Sequence, residues 1–347
     1  VTPTATPIII VTGSPSPTAT ATPTPTDTPT PTPAGTVTPT VTVTATPTTT
    51  ITPTVTVTIT PTPTVTATPT PTPTPQVSLG WEHTAALMPD GTVWTFGRND
   101  NGQLGDGTTR DKLTPVQVLG LSDVIAISAG GLHTIALNDD GTVWTWGSNI
   151  YGQLGDGSAA NRRTIPVQVT GLRDIIAIAG GGYHSLALKS DGTVWTWGNN
   201  VYGQLGDRTR TSRSTPVQVR FLDGVTAIAG GGYHSMALES DGTVWTWGYN
   251  KYGQLGDGTN RDSSIITQVI GLSNVTNISA GGLHSLARKS DGTIWTWGYN
   301  KYGQLGVGDT TDRNVPAQAR SIRNAAAIGG GGYHSLAIKS DNTVLAW

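Results

Sequence analysis

All six histidines of the chain, His83, His133, His184, His234, His284 and His334, stand 50, 51, 50, 50 and 50 residues apart. A period of this length means repeated supersecondary units that cannot bury an apolar face alone, so the fold is decided by how neighbouring units stack. Other landmarks keep the same spacing. "DGTVWTWG" begins at Asp140, Asp191 and Asp241, near-copies begin at Asp90 and Asp291, and "GQLG" begins at Gly102, Gly152, Gly203, Gly253 and Gly303. Ten of the eleven tryptophans fall in this register, Trp81 being the exception. The one inserted residue lies between Asp156 and Pro166, which marks that stretch as a loop.

Within a unit the apolar runs are short and lack helical period. In the third repeat Ile175 to Ala179, His184 to Leu188, Val194 to Trp197 and Pro216 to Val219 are separated by Gly, Asp, Asn and Ser clusters, which predicts four strands. "KSDG" at Lys189 to Gly192 predicts a tight hairpin, with Gly supplying a positive φ and Asp bonding to local backbone. Four strands in each of several 50-residue units predict an all-β fold, a β-propeller of four-stranded blades. The six histidines, with Trp146, Trp197, Trp247 and Trp297, are read as structural repeat residues, the indoles packing between blades.

Composition divides the chain. Residues 1–75 are mostly Thr, Pro, Val and Ala with Asp27 the one charge, and recurrent proline removes backbone donors. Such a tract predicts a disordered linker or stalk, unmodified or O-glycosylated. Residues 76–347 carry the repeats and the core-forming residues. A net charge of -2 offers no broad field for nucleic acid, and the absence of cysteine excludes thiolate catalysis and disulfides. No apolar run is long enough to span a bilayer as a helix.

The repeat offers three chemical readings that its pattern does not sustain. His184, Ser185 and Asp191 resemble a triad in sequence, but neighbours on a strand point to opposite faces, and six copies suit a building role better than one site. The expected role of each His is a buried group bonded to backbone in the same or a neighbouring blade. "AGGGYHS" lacks the Lys and the following helix of a phosphate loop. "RNDNGQLGDGT" copies part of a calcium loop but has Gly97 and Thr108 where acidic ligands belong. No catalytic residue, metal or cofactor is therefore expected.

The strings Gly-Gly-x-His-Ser, Ser-Asp-Gly, x-Trp-Gly-x-Asn and Tyr-Gly-Gln-Leu-Gly resemble the repeat of the regulator of chromosome condensation family, from Gln76 to Trp347, in five full repeats and the start of a sixth. The resemblance implies a propeller that usually has seven blades. The first repeat shows no counterpart of the "LSDVIAI" strand of the second, and the resemblance implies that this strand would come from the far end of a closed ring, leaving an open arc here. Family members include an exchange factor for a small GTPase, chromatin binders, a plant photoreceptor and secreted bacterial inhibitors. Near-constant repeat length leaves no room for a long inserted wedge, and the tail is not basic. The resemblance thus implies a bacterial-type secreted or surface member, extracellular and monomeric.

Positions that differ between repeats concentrate after "GQLGDG". Arg110, Lys112, Arg162, Arg163, Arg208, Arg210, Arg213, Arg261 and Arg313, nine of the twenty basic residues, lie there with Asp262. Placed in equivalent loops, they are expected to form an Arg-rich surface for a protein partner. The expected function is a non-catalytic protein-interaction module. The alternatives are an exchange-factor-like regulator of a small GTPase and an enzyme acting on a glycan or peptide in the central funnel.

Overall fold

A computed structural model describes residues 73–347. The Thr/Pro stalk expected over residues 1–75 falls on residues that, up to 72, lie outside the described ones. The first blade is β1 (Gln76–Leu79), β2 (His83–Leu87), β3 (Val93–Gly97) and β4 (Lys112–Gln117), and the second β5 (Val124–Ala129), β6 (His133–Asn138), β7 (Val143–Ser148) and β8 (Arg162–Gln168). The third is β9 (Ile175–Gly180), β10 (His184–Lys189), β11 (Val194–Gly198) and β12 (Arg213–Gln218), and the fourth β13 (Val225–Gly230), β14 (His234–Glu239), β15 (Val244–Gly248) and β16 (Ser263–Gln268). The fifth is β17 (Val275–Ala280), β18 (His284–Lys289), β19 (Ile294–Gly298) and β20 (Arg313–Gln318). The sixth has three strands, β21 (Ala325–Gly330), β22 (Ser335–Lys339) and β23 (Val344–Ala346).

Every sheet is an antiparallel meander in chain order, and the first strands β1, β5, β9, β13, β17 and β21 lie side by side near the axis. The turns between second and third strands follow their composition. Gly192 takes φ 81°, its N–H donates to Lys189 O, and Asp191 Oδ1 accepts from Thr193 N at 3.0 Å.

Three expectations are corrected. Six sheets stand among the described residues where the resemblance implied seven. The first blade is complete: "QVSL" supplies its inner strand from the N-terminal side, and Ser78 Oγ accepts from Ala129 N at 2.8 Å just as Ser128 Oγ accepts from Gly180 N at 2.9 Å. The fourth strand of the third blade begins at Arg213, three residues before Pro216. Gly198 pairs with Arg213 and Thr196 with Val217, so Pro216 sits in a bulge of an outer strand where its missing donor costs no ladder bond.

Between blades, side chains from both neighbours form each core. Ile135, Leu137 and Val143 of the second blade pack with Ile175, Ile178, Ala187 and Trp197 of the third. Trp146, Trp197, Trp247 and Trp297 are fully buried, each indole contributing roughly 5 kcal/mol of apolar burial. A polar knot threads every one of these interfaces. His133 Nε2 meets Ser185 Oγ of the next blade at 2.9 Å, Ser185 Oγ donates to Gln153 O at 2.8 Å, and Trp197 Nε1 donates to the same carbonyl at 2.9 Å. Because the hydroxyl proton is committed to Gln153, Nε2 must be the protonated nitrogen and donate. The knot recurs from His83 to Thr134, His184 to Ser235, His234 to Ser285 and His284 to Ser335. The partner of each His is thus a neighbouring blade's hydroxyl, not the backbone group expected. Gly181 has to be glycine because a β-carbon there would collide with the His184 imidazole. Among the described residues no hydrogen bond joins the sixth sheet to the first.

These imidazoles are neutral. Burial lowers His83 and His234 to about 4, and burial with neighbouring imidazoles lowers His133, His184 and His284 to about 3, from an ordinary 6.5. The unfolded chain takes up protons near 6.5 that the folded chain refuses, so stability is full above that pH and falls as pH drops from there toward the folded values. Each His contributes a slope of about 1.4 kcal/mol per pH unit. Urea midpoints are expected to be flat above about pH 7 and to fall steeply between about pH 6.5 and 4.5. A flat midpoint across that window would contradict the buried neutral assignment.

Candidate functional site

The repeated His and Ser do not make a nucleophile. Ser185 is fully buried, its proton is held by Gln153 O, and among the described residues His133 Nδ1 has no partner that could orient it as a base. The resemblance of the first "GQLG" loop to a calcium site is likewise explained by hydrogen bonding. Asn99 Oδ1 accepts from Leu104 N at 2.9 Å while its Nδ2 donates to Asp106 Oδ1 at 3.0 Å and Thr108 O at 3.1 Å, closing the loop upon itself.

The charged positions divide into two sets. Lys112, Arg162, Arg163, Arg213 and Arg313 belong to outer strands, not to loops as expected, because Lys112, Arg163, Arg213 and Arg313 pair with Gly97, Gly147, Gly198 and Gly298 of the third strands. Four of them tie down their own loop: Lys112 to Asp106 at 3.1 Å, Arg163 to Asp156 at 2.8 Å, Arg213 to Asp207 at 2.8 Å and Arg313 to Asp309 at 2.6 Å. For Asp207, burial alone would raise the carboxyl, and hydrogen bonds from Thr209 and Arg213 override it, so its pKa is lowered and the pair stays ionic. Asp262 Oδ1 accepts from Asn250 N at 2.8 Å and its other oxygen lies 4.0 Å from Arg210. Arg162 Nη1 donates to Asp100 O at 3.3 Å, Arg208 stacks on Phe221, and Arg110 and Arg261 are exposed without an ion pair among the described residues. The loops follow the rim, since Gly107 N donates to Thr164 O, Gly157 N to Ser214 O and Arg208 N to Ser264 O of the next blade's outer strand.

A second surface was not anticipated from sequence. All nine tyrosines of the chain belong to one continuous series of ring contacts from Tyr151 in the second blade to Tyr333 in the sixth, with centroids 4.6 to 6.3 Å apart. They come from two places in the repeat, the residue before the knot His, as Tyr183 and Tyr233, and the stretch before "GQLG", as Tyr202, Tyr249 and Tyr252. Both places connect strands at the same end of the blade. Trp81 extends the series: its ring fills the space over Gly131 and Gly182 and meets Tyr183 edge-on at 4.9 Å, so this tryptophan outside the repeat register bridges three blades. Burial, then neighbouring phenols, push Tyr233 up to about 12, which keeps its hydroxyl a protonated donor. Tyr302 and Tyr333 are 64% and 57% exposed and give the arc an open end. The signal was legible in hindsight only as a count, since every tyrosine of the chain lies in these two stretches.

A family model described as the RCC1-like domain matches residues 38–276, and models of the regulator of chromosome condensation (RCC1) repeat match residues 291–338 and 275–304. The chain is 52% identical over 132 residues to the probable E3 ubiquitin-protein ligase HERC4 of Homo sapiens, which is 38% of this chain and 12% of that protein. It is 34% identical over 134 residues to the ultraviolet-B receptor UVR8 of Arabidopsis thaliana, 38% of this chain and 30% of the receptor. These matches span well under two thirds of either relative. Among solved structures, human WBSCR16 aligns with a TM-score of 0.70 at 27% identity, covering 76% of this chain and 71% of that one. Yeast RCC1 (Prp20), solved with Kap60 bound, aligns with a TM-score of 0.68 at 25% identity, covering 78% and 69%.

The two sets of charged residues should respond differently to substitution. Arg213→Ser is expected to lower stability by about 1 kcal/mol, the low value reflecting a half-exposed guanidinium, whereas Arg110→Ser and Arg261→Ser should stay within about 0.5 kcal/mol of the parent in denaturant melts. Equal losses at all three would contradict the division.

Proposed function

The chain belongs to the RCC1-like domain family, and from that premise we propose that it is a non-catalytic protein-interaction module whose contact face is the tyrosine arc. The observation that carries this reading is the gathering of every tyrosine into one partly exposed series on a frame otherwise built from repeated residues. Tyrosine suits such a face because a rigid ring buries much area at small entropic cost while its hydroxyl still finds a hydrogen bond in a polar partner. The family likeness agrees, since yeast RCC1 was solved with a protein bound. Of the charged positions, the exposed Arg110 and Arg261 make no ion pair among the described residues and are left to add a cationic fringe for that partner. Among the described residues there is no helix long and apolar enough to cross a membrane. On the composition of the Thr/Pro tract, we place the module outside the cell, as a monomer displayed or released by its host.

Capture of binding proteins by the immobilised chain tests the reading. Tyr302→Ala with Tyr333→Ala is expected to reduce capture about tenfold or more without changing the unfolding midpoint, and Arg110→Ser with Arg261→Ser about twofold to threefold. Undiminished capture by the tyrosine variant would remove the arc from the interface.

A further inference from the structure

The third blade departs at two turns from the glycines of the first, second and fourth blades, while the fifth departs at one, with Ser321 at φ 61°. The residue after "GQLGD" is glycine at Gly107, Gly157 and Gly258, with φ 81°, 71° and 79°, and the turn after the outer strand uses Gly120, Gly171 and Gly271, with φ 70°, 79° and 73°. The third blade puts Arg208 at φ 67° and Phe221 at φ 69° in these two places. A β-carbon disfavours this left-handed region, most of all on a bulky residue. Both exceptions fall together: the Arg208 guanidinium lies 4.5 Å over the Phe221 ring, and Phe221 is 68% exposed. Nothing in the frame requires them, since at Gly120, Gly171 and Gly271 a β-carbon would meet open space and the turn forms without one. Strained backbone of this sort gathers where a site is held in shape.

The pair forms one wall of a cleft of about 550 Å³ at the rim between the third and fourth blades, a size suited to a ligand group. Arg213, Arg220, Trp245 and Ile265 line the rest with them. Its charge is one-sided. Asp207 is consumed by Arg213 at 2.8 Å, Glu239 beyond the wall accepts from Trp245 Nε1 at 2.8 Å, and among the described residues neither Arg208 nor Arg220 makes an ion pair. Two free guanidiniums thus stand beside an apolar lining of Phe221, Trp245 and Ile265. We propose that this cleft binds an acidic peptide segment of a protein partner that carries one large apolar side chain, the carboxylates meeting Arg208 and Arg220 and the apolar group lying between Phe221 and Trp245. Stacking on Phe221 holds the Arg208 guanidinium in place before the ligand arrives, so less freedom is lost on binding. The site is separate from the tyrosine arc.

Fluorescence anisotropy with the whole chain and a labelled Asp-Glu-Leu-Asp-Glu peptide tests the proposal, against versions with Lys in place of the acids or Ser in place of the Leu. The acidic leucine peptide is expected to bind at least about tenfold more tightly than either control and to weaken as salt rises. Arg208→Gly and Phe221→Gly restore the residue that the first, second and fourth blades use, so each should weaken binding about tenfold while the unfolding midpoint stays level or rises. Tyr302→Ala should leave peptide binding unchanged. Equal binding of the three peptides, full binding by both glycine variants, or a fall in their midpoints matching the lost binding would overturn the site. Loss of peptide binding in Tyr302→Ala would assign the peptide to the tyrosine arc and overturn it as well.

Discussion

The fold depends on a relay of three groups across each blade interface: a histidine Nε2–H, a serine or threonine hydroxyl and a glutamine carbonyl. Each blade presents its His to the next blade and its Ser to the previous one, so one repeat contains both halves of the joint and no repeat can complete it alone. That explains the strict period. A shift of one residue in His184 would turn it to the other face of β10 and lose Ser235. It also explains the surrounding composition. The imidazole needs glycine behind it at Gly181, and the carbonyl needs the "GQLG" turn to reach it, where Trp197 takes the second lone pair. A buried relay of this kind is stabilising only when complete, because removing one member leaves the others buried without partners.

The same relay removes the chemistry that the sequence advertises. A Ser–His pair at 2.9 Å meets the distance requirement for a nucleophile and its base, yet the proton runs the wrong way. The serine donates to a carbonyl and receives from the imidazole, so the histidine has no free lone pair facing the hydroxyl.

Much of the frame could be read from the chain because its causes are local and repeated. Glycine in the hairpin at Gly192, tryptophan alternation in β11 and the His period all act within one repeat. The misreadings arose where the cause lies in another repeat or outside the pattern. Ser185 and His184 are neighbours in sequence but partner different blades, which no single repeat reveals. "QVSL" does not read as an inner strand because it abuts a proline tract and holds only two apolar residues, whereas its register is set by Ser78 bonding to Ala129 of the next blade. Proline usually interrupts a ladder, so Pro216 reads as the start of a strand; here a bulge absorbs it and the strand begins at Arg213. The arginines read as one loop surface because their aspartate partners, such as Asp207 for Arg213, belong to the repeat and read as frame. The tyrosines sit beside repeat residues and were absorbed into the frame for the same reason.

That adjacency is what makes the aromatic face rigid. Tyr183 immediately precedes His184, whose ring is fixed by Ser235, and the backbone of Tyr151 donates to Gln153 Oε1 at 2.9 Å, the same glutamine whose carbonyl anchors Ser185 and Trp197. Tyr202, Tyr252 and Tyr302 repeat the bond to Gln204, Gln254 and Gln304. Each exposed ring is therefore mounted one or two residues from a fully buried hydrogen-bonded group, and the spacing between rings follows the spacing between knots. Such a face loses little freedom when a partner arrives, because the order it needs was already imposed by folding. The residues that hold the blades together and those that meet the partner are consecutive in sequence, so the interaction surface takes its geometry directly from the blade joints.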